Sequence, residues 1–162
     1  MKRHCVRALL LAVCAGLLPA LAAGAVSCTV SSTGPVFGVY NPLSATPTYA
    51  NSQIQASCTL VSGGATTVNL VSSYSAGHSG SYAMRYMLSG TNRLNYNLFF
   101  DAAYTQIRGD GTGGSQTGGA SLALTTANRT QSTTSTIYGR IPAGQDVAAG
   151  AYTDTIVVTI TY

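Results

Sequence analysis

The run from Tyr152 to Tyr162 limits what this chain can fold into more than any other stretch. From Thr155 onward, Ile156, Val158, Ile160 and Tyr162 fall on one side, and Thr155, Val157, Thr159 and Thr161 on the other. That two-residue period is the mark of a strand with one buried face. β-branched residues fill nearly every position, and no turn or cap residue follows. The spacing predicts a strand over Thr153–Tyr162 with two edges to satisfy. One edge pairs within the sheet; the other meets either another segment of the chain or another molecule.

The remainder of the sequence points the same way. After residue 25 there is no lysine and no glutamate, the residues that usually fill exposed helix faces, while Thr, Ser, Val, Tyr and Gly abound. Short strand-like runs are predicted at Cys28–Ser31, Val36–Tyr40, Ile54–Leu60, Val68–Ser72, Tyr82–Leu88, Leu94–Phe100, Tyr104–Arg108, Ser121–Thr125 and Ser135–Ile141. In the third of these, Ile54, Ala56, Cys58 and Leu60 share one face. Turn residues such as Ser62-Gly63-Gly64 separate the runs, and no amphipathic helix lies between them. The pattern predicts an all-β, immunoglobulin-like β-sandwich forming one domain over 26–162. Pro42 to Pro47 and the Gly109–Gly119 stretch are its expected main loops, the second mobile and at the surface.

The N-terminal 25 residues carry a different signal. Lys2, Arg3 and Arg7 precede an apolar stretch from Ala8 to Leu21, followed by Ala-x-Ala sites ending at Ala22 and Ala25. This reads as a secretory signal peptide over 1–25, with cleavage after Ala25 or, alternatively, after Ala22. It is too short for a membrane span, so none is expected in the mature protein. The lipoprotein alternative, acylation of Cys28, lacks the usual Leu three positions upstream.

Removal of the signal takes Cys5, Cys14 and His4 with it. Cys28 and Cys58 are then the remaining pair, and in an oxidising compartment they are expected to form a disulfide. Two thiols and the one remaining histidine, His78, do not make a four-ligand metal site. The mature charge is also small: five arginines face four aspartates, and none cluster. A nucleic-acid surface needs clustered cations, so nucleic acid is not an expected partner.

Catalysis finds no support in the residue pattern. His78 lies in the Gly/Ser-rich turn Ala76-Gly77-His78-Ser79, where a solvated loop histidine is expected. No spacing suggests a histidine oriented by a carboxylate beside a nucleophile, or paired carboxylates for acid–base work. Asp110, within Gly109-Asp110-Gly111, reads as a turn residue because one aspartate lacks the oxygen ligands calcium needs. No enzyme activity, cofactor or metal is therefore expected. All ten tyrosines and three phenylalanines lie in the mature part. Most are expected to pack in the core or at sheet edges. A sugar-stacking or adhesive face would require neighbouring exposed rings.

Three sets of residues resemble one known family. Phe37-Gly38-Val39-Tyr40-Asn41-Pro42, after an early cysteine, resembles the opening of the spore coat protein U domain. Leu94-Asn95-Tyr96-Asn97-Leu98-Phe99, with Asp101 and Gly109-Asp110-Gly111-Thr112, resembles its middle. Tyr138-Gly139-Arg140-Ile141-Pro142-Ala143-Gly144-Gln145 and Gly150-Ala151-Tyr152-Thr153-Asp154-Thr155-Ile156 resemble its end. That family includes subunits of archaic, Csu-type chaperone–usher pili. The resemblance implies an incomplete immunoglobulin-like sandwich lacking its final strand, completed by a donor strand from a partner. It implies a periplasmic chaperone, an outer-membrane usher and neighbouring pilus subunits as partners, with export to the cell surface and roles in adhesion or biofilm formation. The face of Ile156, Val158, Ile160 and Tyr162 is then expected to border the donor-strand groove.

One departure bears on the place in a pilus. Polymerising members carry a donor extension ahead of the first cysteine. Here cleavage after Ala25 leaves Val26 and Ser27 before Cys28, and a strand gains about 3.3 Å per residue. A terminal or tip-like position is expected, with a secreted spore-coat or other surface protein, not assembled by an usher, as the alternative.

Overall fold

The computed structural model describes residues 24–162. The expected signal segment over 1–25 therefore lies outside the described residues except for its last two positions. Eight strands follow in order: β1 Ala25–Ser32, β2 Thr48–Ser62, β3 Thr66–Tyr74, β4 Arg85–Ser89, β5 Asn92–Phe99, β6 Gly118–Leu124, β7 Thr130–Ile141 and β8 Val158–Thr161. They form two antiparallel sheets, one ordered β1-β2-β7-β5-β4 and the other β6-β3-β8. The expected all-β sandwich is present, with a single 3-10 turn among the described residues, at Gly77–Ser79. Among the described residues no helix is long and apolar enough to cross a membrane.

Alternation does most of the local work. In β2 the side chains of Ile54, Ala56, Cys58 and Leu60 are all buried, while Gln53, Gln55 and Val61 between and beside them face solvent. β7 follows the same rule, burying Ile137, Gly139 and Ile141 and turning Tyr138 and Arg140 outward. Two apolar clusters result. One joins Ala56, Cys58 and Leu60 of β2 to Val68, Leu70, Leu122 and Leu124 of the small sheet. The other gathers Ile54, Tyr74, Met87, Leu94, Tyr96, Leu98, Ile137 and Ile141. The first is sealed by strands from both sheets. The second has no strand over much of its open side: coil residues Phe37, Tyr40, Val147, Tyr152 and Ile156 pack on it instead.

Three expected strands differ in the structure. Val36–Tyr40 is coil, because Pro35 and Pro42 flank it and Gly38 sits at φ 70°, breaking the extended run. The alternation is lost at Gly38, and residues three apart share a side: Phe37 and Tyr40 turn inward, while Val36 and Val39 are 87% and 94% exposed. Tyr104–Arg108 makes only isolated bridges, Ile107 to Phe99 and Arg108 to Gln116, since Tyr104 itself adopts φ 58°. The C-terminal strand is shorter than its pattern, Val158–Thr161. Ahead of it Thr153 bridges to Leu88 of β4, so the segment crosses from the edge of one sheet to the edge of the other. The Gly109–Gly119 stretch is also less of a loop than expected, because Gly118 and Gly119 open β6 and Ser115 is buried.

Cys28 and Cys58 face each other in the β1–β2 register and are bonded. The bond ties the edge strand β1 to the first cluster, where Cys58 is fully buried.

Candidate functional site

A groove of about 1290 Å³ opens over the second cluster, the one built on Ile54, Leu94 and Ile141. One wall is the coil Gly34–Tyr40, the other the segment Val147–Ile156 with Val158, and the floor is Ile54, Leu94, Tyr96, Leu98, Ile137 and Ile141. The groove exists because the small sheet stops one strand short. β8 pairs with β3 over Tyr74–Val158 to Val71–Thr161, and among the described residues its second edge has no strand partner. Small-molecule pockets usually hold about 300–1000 Å³. The size, apolar floor and open strand edge together suit an extended peptide segment better than a small ligand.

The residues expected to line this face separate by position. Ile156 and Val158 border the groove. Ile160 packs between the two clusters, touching both. Tyr162 is 60% exposed and lies outside the groove wall. Phe37 reaches the floor, its ring edge-on to Tyr96 with centroids 5.9 Å apart. It also lies over Gly139, where a Cβ would collide with the Phe37 ring. Tyr40 fixes the same coil at its far end, donating its hydroxyl to the Pro142 carbonyl at 3.1 Å and accepting from the Gln145 amide at 2.8 Å.

His78 is an exposed turn residue, as expected from the sequence, but it also has a partner the sequence did not show. Its ring Nδ1 meets Asp154 Oδ1 at 2.5 Å, and its amide donates to the same oxygen. The Asp154 side chain is only 3% exposed and also accepts from the Tyr96 hydroxyl at 2.8 Å. Burial, reinforced by this carboxylate, pushes the Tyr96 phenol far above its usual range. Gly77 permits the approach, since a Cβ there would overlap the Asp154 carboxylate. The pair joins the Gly77–Ser79 turn to the crossing segment beside the groove. The neighbouring Ser79 hydroxyl is engaged with the backbone of Ala76 and Ser81. The result is a tether, not an acid–base–nucleophile array.

Sequence reasoning missed two arginines entirely. Arg85 and Arg108 are fully buried, with no carboxylate partner among the described residues. Arg85 donates to the Ser75 and Arg108 carbonyls and to Asn97 Oδ1, at 2.6–3.2 Å. Arg108 donates to the Phe99 and Thr136 carbonyls, the Tyr74 hydroxyl and Ser135 Oγ. Its guanidinium also lies 3.9 Å from the Phe100 ring centroid. Burial lowers the pKa of both arginines and raises that of Tyr74. No spacing in the sequence signals this, because the acceptors are mostly main-chain carbonyls. Together the two side chains lock β3, β5 and β7 beneath the groove.

Fold and site define a disulfide-linked β-sandwich with an open apolar groove beside a strand edge that is unpaired among the described residues. The chain belongs to the spore coat protein U domain family, whose model matches residues 15–159. It is 29% identical to Protein U of Myxococcus xanthus over 133 residues, covering 78% of this chain and 70% of that protein. A solved structure similar to it is a chain of the chaperone–tip adhesion subunit pre-assembly complex from archaic chaperone–usher Csu pili of Acinetobacter baumannii. That match has 18% identity and a TM-score of 0.49, and covers 85% of this chain but 40% of the other.

Proposed function

We propose that this chain is an exported structural subunit of a chaperone–usher surface pilus, serving adhesion or biofilm formation. The observation that carries the reading is the groove beside the free edge of β8. A strand laid there would pair with β8 and cover the floor of Ile54, Leu94, Tyr96, Leu98, Ile137 and Ile141. In this reading the sandwich is an incomplete immunoglobulin-like fold. A periplasmic chaperone supplies the missing strand first, and a neighbouring subunit replaces it at the outer-membrane usher. Ile156 and Val158 are the contact residues for that strand, with Ile160 anchoring β8 from behind and Tyr162 at its end.

Residues 1–25 act as the signal peptide in this scheme, and 26–162 as the pilin-like domain. β1 spends Ala25–Ser32 on pairing with β2, so these residues are not free to be donated. Cleavage after Ala22 or Ala25 therefore favours a terminal or tip-like place over the shaft. The family name supports a second reading, a secreted coat or surface protein built without an usher.

Expression of the mature chain with and without a chaperone encoded beside its gene tests the proposal. A stable one-to-one complex is expected, along with a free chain that aggregates or binds a hydrophobic dye. A free monomer that is stable, dye-silent and indifferent to the chaperone would refute donor-strand completion and leave the coat reading.

A further inference from the structure

We propose that the outer face of the five-stranded sheet, opposite the groove, binds a carboxylated sugar such as a uronate of a surface polysaccharide. A cluster of rings that the sequence alone did not reveal lies here, with Tyr49 exposed, Tyr104 and Tyr138 half-buried and Phe99 buried beneath them. Tyr49 and Tyr104 stack with centroids 4.8 Å apart and planes tilted by 32°. Tyr104 meets Phe99 and Tyr138 edge-on, at 5.5 and 6.3 Å. Strand register explains the grouping: Tyr49 stands opposite Arg140, and Tyr138 is flanked by Asn51 on β2 and Phe99 on β5.

Arg140 supplies the charge. Its guanidinium lies 5.1 Å from the Phe99 ring centroid and 5.5 Å from that of Tyr104. Among the described residues it has no carboxylate partner, and unlike Arg85 and Arg108 its side chain makes no hydrogen bond either. The Tyr49, Tyr104 and Tyr138 hydroxyls are likewise without a hydrogen-bond partner among these residues. The Arg140 fork and the three hydroxyls are therefore not committed to other side chains and can meet a ligand. Such a fork matches a carboxylate in bidentate fashion. Ring faces such as that of Tyr49, which is 51% exposed, suit the C–H face of a pyranose. A single cation on a nearly neutral domain does not suit a polyphosphate backbone.

The loop that delivers Tyr104 is built for position. Tyr104 is the sole non-glycine residue at positive φ among those described, at 58°. Asp101 holds it there, accepting from the Thr105 amide and hydroxyl and the Gln106 amide at 2.8–3.1 Å. Such backbone strain concentrates where a side chain must be aimed. Because Tyr138 and Arg140 point away from Ile137 and Ile141, a strand in the groove leaves this face open.

Titration of the mature chain with oligogalacturonate, against a neutral hexose oligomer of equal length and a sulfated one, tests the assignment. The uronate should bind about tenfold tighter than either control, and Arg140→Gln and Tyr49→Ala should each weaken it about tenfold. Tyr49→Ala removes a half-exposed ring, so its melting temperature should stay near that of the parent and keep the test readable. Arg140→Lys should retain only part of the affinity. No uronate binding at about 10 mM, equal binding of the neutral or sulfated oligomer, or affinity unchanged in both variants would overturn the proposal.

Discussion

Replacing Arg108 by methionine sets two large effects against each other. The substitution removes a buried cation whose desolvation costs several kcal/mol, and buried charges replaced by apolar groups sometimes leave a protein more stable. Against that, the Phe99 and Thr136 carbonyls and the Tyr74 hydroxyl lose their donor. Thr136 lies on β7 just beyond the point where pairing with β5 ends at Tyr138, so no strand amide takes over. Each orphaned buried acceptor costs about 1–3 kcal/mol. Two of the three are main-chain groups that no substitution at 108 renders apolar. The loss should therefore outweigh the gain, giving a net destabilisation of about 3 kcal/mol. For a domain of this size that is a drop of roughly 10 °C in melting temperature. Urea unfolding should show a lower midpoint with an unchanged slope. Arg108→Lys should be nearly as damaging, because one ammonium cannot span acceptors on β3, β5 and β7. An Arg108→Met protein as stable as the parent, or more so, would refute the reasoning.

Alkylation of the unreduced mature protein should detect no free thiol, and Cys28→Ser with Cys58→Ser should cost about 3–4 kcal/mol for a loop of this length, as measured by chemical denaturation. Val158→Asp places a carboxylate at the groove wall and should abolish chaperone capture in a pull-down; capture equal to the parent would remove Val158 from the contact. Hydrogen bonds from Gln106 and Thr105 hold the Asp101 carboxyl below its ordinary 3.8. The contribution of Asp101 is thus present above that value and lost as pH falls through the lower folded one. Acidification should lower the protection factors of the Thr105 and Gln106 amides, taken against their intrinsic exchange rates at each pH, and Asp101→Asn should do so at neutral pH; protection unchanged in either case would contradict the assignment.

Strand alternation around Ile54–Leu60 and Val158–Ile160 was legible in the sequence because a two-residue period needs no knowledge of neighbours. The disulfide was legible from the secretory signal and the cysteine count, since compartment chemistry acts on any accessible pair. Val36–Tyr40 was misread as a strand because its pattern is that of one, but β1 already occupies the outer edge of β2 and the flanking prolines cannot extend the ladder. His78 and Asp154 meet across 76 residues, and Arg85 and Arg108 go inward to reach carbonyls that have no residue-type signature. The groove, the locked arginines and the tyrosine face all arise where segments distant in sequence are brought side by side. By itself the sequence determined local periodicity and the cysteine pair that is cross-linked, each set by composition or near neighbours. Only the tertiary structure decided which strand edge stays open and which polar groups are buried, because both depend on partners supplied by the rest of the fold.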